Sequence, residues 1–220
     1  MLSFYGRKSP RNLKHVDLEN LKNCEFFFTS SNIQKLKTQL KIFTSINLEI
    51  GFGLGENLLF QSSNRKNEIF LGCDPYLGGS INIHKQIQKL NLKNLFITNL
   101  EFFELYEFVK ELKFNNITIL FPDPWPKKKH LKRRLINYKF VQYITKLSNK
   151  RTKVIVSTDD EDYLNQIIYA FHKSSEFTLS TNLINENIMK YFNVQITKYY
   201  KKAKLDNRKS YFLLFEKEIS

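Results

Sequence analysis

Short apolar runs separated by amphipathic stretches recur along the chain and restrict it to an alternating β/α plan. Residues 48–52, 69–74, 95–98, 117–121 and 153–157 read as five buried strands. Between them the apolar positions change to helical spacing. Ile83, Ile87 and Leu90 share one face of 80–91. Ile136, Phe140, Ile144 and Leu147 do so in 132–148, and Leu164, Ile167, Ile168 and Phe171 in 160–173. Strands that alternate with helices pair in parallel, with helices covering both faces of the sheet. Two later strand-like segments, 192–200 and 211–216, flank a basic loop and predict a C-terminal antiparallel hairpin. The expectation is one α/β domain over 1–220, with a basic N-terminal segment (1–45) ahead of a Rossmann-like core (46–220). Residues 1–45 carry little readable pattern.

At 42% hydrophobic residues the chain can bury a core without disulfides or metal. Its two cysteines, Cys24 and Cys73, form no C-x-x-C pair and no zinc pattern, and no metal site is expected. No apolar run is long enough to cross a membrane, and the polar, basic start has no secretory h-region, so a cytoplasmic protein is expected.

Six of the seven glycines lie between 51 and 79. Leu48 to Glu56 reads LEIGFGLGE: a strand, glycines at alternate positions, then a helix start. Glycines there let the backbone turn tightly and approach a ligand at the carboxyl edge of a sheet. The dinucleotide pattern G-x-G-x-x-G would need glycine where Glu56 stands. Glu49, Gly51, Gly53 and Gly55 instead resemble the cofactor loop of class I S-adenosylmethionine methyltransferases. That ligand carries a sulfonium and an ammonium group, which suits an acid ahead of the loop. Asp74 ends the second strand, where a carboxylate can accept from two ribose hydroxyls. Asn99 or Glu101, after the third strand, could reach an adenine amino group.

After the fourth strand, Phe121-Pro-Asp-Pro-Trp-Pro-Lys127 holds three of the five prolines and the single tryptophan. Prolines cannot continue a strand or helix, so Asp123 and Trp125 are expected on a rigid turn. The net charge of +14 points toward a polyanionic partner, although 28 lysines beside 22 asparagines and 2 alanines also suit an AT-rich genome. Its distribution is more telling. Residues 49–125 hold 7 Lys+Arg and 9 Asp+Glu, a net of −2, whereas 127–134 (KKKHLKRR) hold six cations and no acid. Four of the seven arginines are Arg7, Arg11, Arg133 and Arg134. A basic run at the entrance of the 132–148 helix is unfavourable for the helix dipole and would be relieved by RNA phosphates.

Nearly end to end, the chain resembles the bacterial tRNA (guanine-N(7)-)-methyltransferases of the TrmB type. The resemblance is carried by SFYGRKSPR, LEIGFGLGE, GCDPY, FPDPWPKKKHLKRRLI, VSTD and TKYYKKA. It implies a Rossmann-like class I methyltransferase fold and S-adenosylmethionine as cofactor. It also implies tRNA as partner, a monomer or homodimer, and methylation of a variable-loop guanine at ring nitrogen 7. By position, the family's cofactor residues correspond to Glu49, Asp74, Glu101 and Asp123. Its substrate contacts correspond to Lys127 and Asp159, with Thr197 to Tyr200 near the target base. Asp74 replaces a common glutamate, Glu101 stands where an Asp-Ala pair is usual, and the family's late T-x-x-E ends in Tyr200.

Nitrogen 7 of guanine presents a free lone pair, so methylation needs no general base and catalysis reduces to positioning. Asp123 is the expected catalytic residue, orienting guanine through its ring N–H and exocyclic amine. The alternatives are a catalytically impaired tRNA-binding relative and a methyltransferase of another nucleobase.

Overall fold

The computed structural model describes residues 5–180 and 197–218. Its chain gathers into two units, one over Phe4–Leu112 and the other mainly over Lys113–Ser220.

In the first unit, helices α1 (His15–Lys22), α2 (Ile33–Leu40), α3 (Glu56–Asn64), α4 (Leu77–Leu90) and α5 (Phe102–Val109) alternate with four strands. These are β1 (Phe27–Phe28), β2 (Ile46–Ile50), β3 (Ile69–Cys73) and β4 (Leu95–Thr98), all parallel in the order β1-β4-β3-β2. Every residue of β2, β3 and β4 is buried, and for that reason β3 and β4 read as mainly apolar runs, whereas β2 carries buried Asn47 and Glu49 between its apolar residues. Phe52, Leu58, Phe70, Ile83, Ile87 and Ile97 belong to one core cluster. Leu90 does not join the face expected of it; it is the last residue of α4, before a left-handed Asn91, and is exposed. The segment 1–45, opaque in sequence, supplies α1, α2 and an edge strand. Its strand has only two residues and α1 buries only Leu21, so neither left a periodic signal.

The second unit contains β5 (Phe114–Leu120), a 3₁₀ turn at Lys128–Arg133, α6 (Tyr138–Leu147), β6 (Ser148–Thr158), α7 (Glu161–Ser174), β7 (Phe177–Leu179), α8 (Lys198–Leu205) and β8 (Tyr211–Lys217). β5 and β6 are parallel, and β8 runs antiparallel between β6 and β7. The expected antiparallel ending is present, but β7 is the hairpin partner of β8. Residues 198–200 begin a helix instead of ending a strand, because Thr197 caps it and Tyr200 and Ala203 bury one helical face. Residues 192–196 lie outside the described residues.

The expected 132–148 helix also divides. The basic run forms the 3₁₀ turn, and α6 starts only at Tyr138, where the Asn137 side chain accepts from the Phe140 N–H at 3.1 Å. Ile136 is buried ahead of this cap and so mimicked a first helical turn. The cations therefore do not sit at the start of an α-helix, and the dipole argument for relief by phosphate falls away.

Candidate active site

In the first unit the candidate residues collect at the carboxyl ends of the parallel strands. Gly51, Gly53 and Gly55 have φ of 77°, 56° and 81°, left-handed values that side chains disfavour. Among the described residues a Cβ on Gly51 would meet nothing within 4 Å, so the turn is open there. On the opposite side, α4 presses against the loop. A Cβ on Gly79 would lie 1.8 Å from the Gly53 carbonyl oxygen, so only glycine permits that approach. Asp74 accepts from the Gly53 N–H at 2.7 Å and the Tyr76 N–H at 2.8 Å, joining the glycine loop to the end of β3.

Glu49 is 5% exposed and receives the Asn57 side-chain N–H at 2.7 Å. Desolvation pushes its carboxyl up to about 8, the Asn57 hydrogen bond opposes this, and the Asp74 charge adds to it. A buried acid beside a second acid and an open glycine turn is suited to a cationic ligand. Glu101 makes the capping box of α5 with Glu104 and pairs with Lys8 at 2.9 Å, so its carboxylate is engaged. The Asn99 side-chain carbonyl, by contrast, is a buried acceptor without a donor among the described residues. Of the two adenine candidates, Asn99 has the vacant acceptor. Asn57 was missed in sequence; only its position in the first turn of the helix after the loop hinted at it.

The second unit arranges the FPDPWP segment at the carboxyl end of β5. The Phe121 N–H reaches both the backbone and side-chain oxygens of Ser157 on β6, at 3.0 and 3.1 Å. Phe121 (φ 49°) and Trp125 (φ 43°) adopt left-handed backbone on either side of Asp123. For residues of this bulk that conformation is strained. Asp123 itself is exposed, yet desolvation by the surrounding loop raises its carboxyl above the usual range. The Arg133 guanidinium lies over the Trp125 ring at 4.9 Å, and His130 meets the same indole edge-on at 5.6 Å. Lys127, Lys128, Lys129 and Lys132 are exposed.

Asp159 stands just outside α7, whose cap is Asp160, and is ion-paired with Arg208. Arg208, which no motif indicated, also binds Asp206 at 2.9 Å. Arg134 departs from its expected place on an RNA face. It is 2% exposed and bound to Asp162 and to the Pro124 carbonyl, each at 2.7 Å. Its donors are turned inward, so direct contact with phosphate is not available to it.

A family profile described as "Putative methyltransferase" matches residues 44–213. The tRNA (guanine-N(7)-)-methyltransferase of Neorickettsia sennetsu is 34% identical over 166 residues, covering 76% of this chain and 73% of that protein. The chain belongs to the tRNA (guanine-N(7)-)-methyltransferase family. The protein of the same name from Wolbachia pipientis wMel is also 34% identical, covering 75% of this chain and 72% of its own length. Among solved structures, one described as an antibiotic-related methyltransferase matches with a TM-score of 0.59 at 19% identity, covering 91% of this chain and 98% of that one. The fold is therefore that of class I methyltransferases.

Against the tRNA (guanine-N(7)-)-methyltransferase pattern, the late T-x-x-E position can be read physically. Thr197 is the N-cap of α8, accepting from the Tyr200 N–H at 3.3 Å, and position 200 is its third residue. A glutamate there would complete a capping box. Tyr200 is instead buried with Leu120, Ile155, Phe212 and Leu214, and its ring lies 6.4 Å from that of Phe121. The substitution exchanges a charged cap partner for packing under the FPDPWP segment.

Proposed function

We propose that this chain transfers the methyl group of S-adenosylmethionine to nitrogen 7 of a variable-loop guanine in tRNA, in the cytoplasm. The observation that carries this reading is Glu49, a buried carboxyl two residues ahead of a left-handed glycine turn that is open at Gly51. Bound there, the cofactor supplies an electrophilic methyl on a sulfonium. Glu49 would hold the ammonium group, Asp74 the ribose hydroxyls, and Asn99 the adenine amine.

The guanine N7 lone pair forms the new N–CH₃ bond while the S–CH₃ electron pair returns to sulfur, so no residue need remove a proton. What the protein contributes is alignment. Asp123 accepts from the ring N–H and exocyclic amine of guanine, a donor pair that adenine lacks. Lys127 and its lysine neighbours meet phosphates, and Asp159 and the start of α8 at Thr197 lie toward the substrate. The test is incubation with labelled S-adenosylmethionine and tRNA lacking the modification, followed by nucleoside mapping. Label in 7-methylguanine at the variable loop is expected, and Asp123→Ala should abolish it while sparing tRNA binding. Label in another base, or none, would refute the assignment.

A further inference from the structure

We infer that Arg134 is a positioning residue for the reaction: it clamps the Asp123 segment onto the first turn of α7. This rests on the proposed guanine methylation, and four observations converge on it. Arg134 Nε donates to the Pro124 carbonyl at 2.7 Å, one residue from Asp123. Its Nη1 reaches Asp162 at 2.7 Å and Gln166 at 3.1 Å, and Nη2 lies 3.5 Å from Asp160, the α7 cap. The guanidinium also stacks over the Tyr163 ring at 4.8 Å. Tyr163 in turn accepts from the Ile136 N–H at 2.9 Å, and Gln166 donates to the Ile136 carbonyl at 2.8 Å. The chain that follows the basic turn is thus tied to the same helix.

The residue types explain why arginine is needed. Pro124 has no N–H, and the flanking prolines leave the segment few backbone donors of its own. A side chain must therefore meet the Pro124 carbonyl while its other end grips a rigid element. Only a planar guanidinium presents donors to a carbonyl, a carboxylate and an amide at once. Acids in the first turn of α7 are favoured by the helix dipole, so this anchor is stable without Arg134. The strained φ at Phe121 and Trp125 gives the clamp its purpose: a segment that would relax if released is held at both ends.

The single tryptophan, two residues from Asp123, makes the proposal measurable apart from activity. Arg134→Lys retains the charge but cannot serve three acceptors. It should lower kcat by about 10²-fold, the effect of a misplacement near 1 Å, with KM for tRNA changed less than threefold. Trp125 emission should shift to the red while far-UV circular dichroism is unchanged. Asp162→Asn cuts the exposed end of the clamp, since Asp162 is 75% exposed, and should move kcat and emission the same way by less. Wild-type kcat and emission in Arg134→Lys would overturn the clamp. So would a rise in KM alone with a shallower salt dependence, which would mark a phosphate contact. Inactivity of the wild-type chain on tRNA would count against the proposed reaction, whereas an unmoved Trp125 emission counts against the clamp alone.

Discussion

Cofactor binding should be visible as a proton leaving Glu49. Burial holds this carboxyl at about 8, so at pH 7 the unliganded protein carries it mainly protonated. An ammonium-bearing ligand needs the carboxylate, and binding must drive the proton off. S-adenosylhomocysteine is the suitable probe, because it keeps the ammonium and lacks the reactive methyl. With a pKa near 8, the ionised fraction is roughly 1 in 100 at pH 6 and 1 in 11 at pH 7. Affinity should therefore rise about ninefold over that unit, or ~1.3 kcal/mol. The ligand amine is that of a free amino acid, more basic than the ~7.7–8.0 of a peptide amino terminus, so it stays charged over this interval. Isothermal calorimetry in buffers of different ionisation enthalpy should report about 0.9 proton released per ligand at pH 7. Glu49→Gln should bind weakly with no pH slope. A dissociation constant flat from pH 6 to 7, with no proton released, would refute the role of Glu49. The sign reverses for the unliganded fold. The folded-state pKa lies above the ordinary value of 4.5, so this stabilisation is complete below 4.5 and is lost as pH rises through 8. The melting temperature should fall over that range, and the ligand should flatten the decline.

Gly79→Ala should displace the Gly53 carbonyl, since no Cβ fits 1.8 Å away, and abolish S-adenosylhomocysteine binding in a calorimetric titration. Tyr200→Glu, which restores the family residue, should lower stability by roughly 3 kcal/mol in urea unfolding and should not raise turnover, because it replaces a packed ring by a charge. If the four exposed lysines of the basic turn meet phosphates, tRNA affinity should fall on the order of a hundredfold between 50 and 200 mM salt. A nearly flat response would place the RNA elsewhere.

The parallel strands and the cofactor loop were legible because each leaves a local trace: short, mainly apolar runs for β3 and β4, buried on both faces, and glycines at alternate positions for a left-handed turn. The division at 132–148 was not legible. Ile136 kept the helical period while Asn137, the true cap, resembled any polar residue. Arg134 was misplaced for a related reason. In a run of six cations nothing local shows that one faces inward, because its acids, Asp160 and Asp162, lie a strand and a helix away in sequence. The same holds for Arg208 and Asp159. β7 escaped notice because three residues are too few to establish a period.

The left-handed backbone at Phe121 and Trp125 also bears on how this protein can be improved. Strain of this kind amounts to about 1–3 kcal/mol per residue, against a total folding stability of only about 5–15 kcal/mol. Glycine would relax the backbone at either site, but the Phe121 ring packs on Tyr200 and Phe212 and the Trp125 ring on Arg133 and His130. Losing a packed aromatic ring costs up to about 3–5 kcal/mol, more than the strain returns. The strain is thus held in place by the same rings that bracket Asp123, and an engineer would do better to leave both alone and strengthen the chain elsewhere.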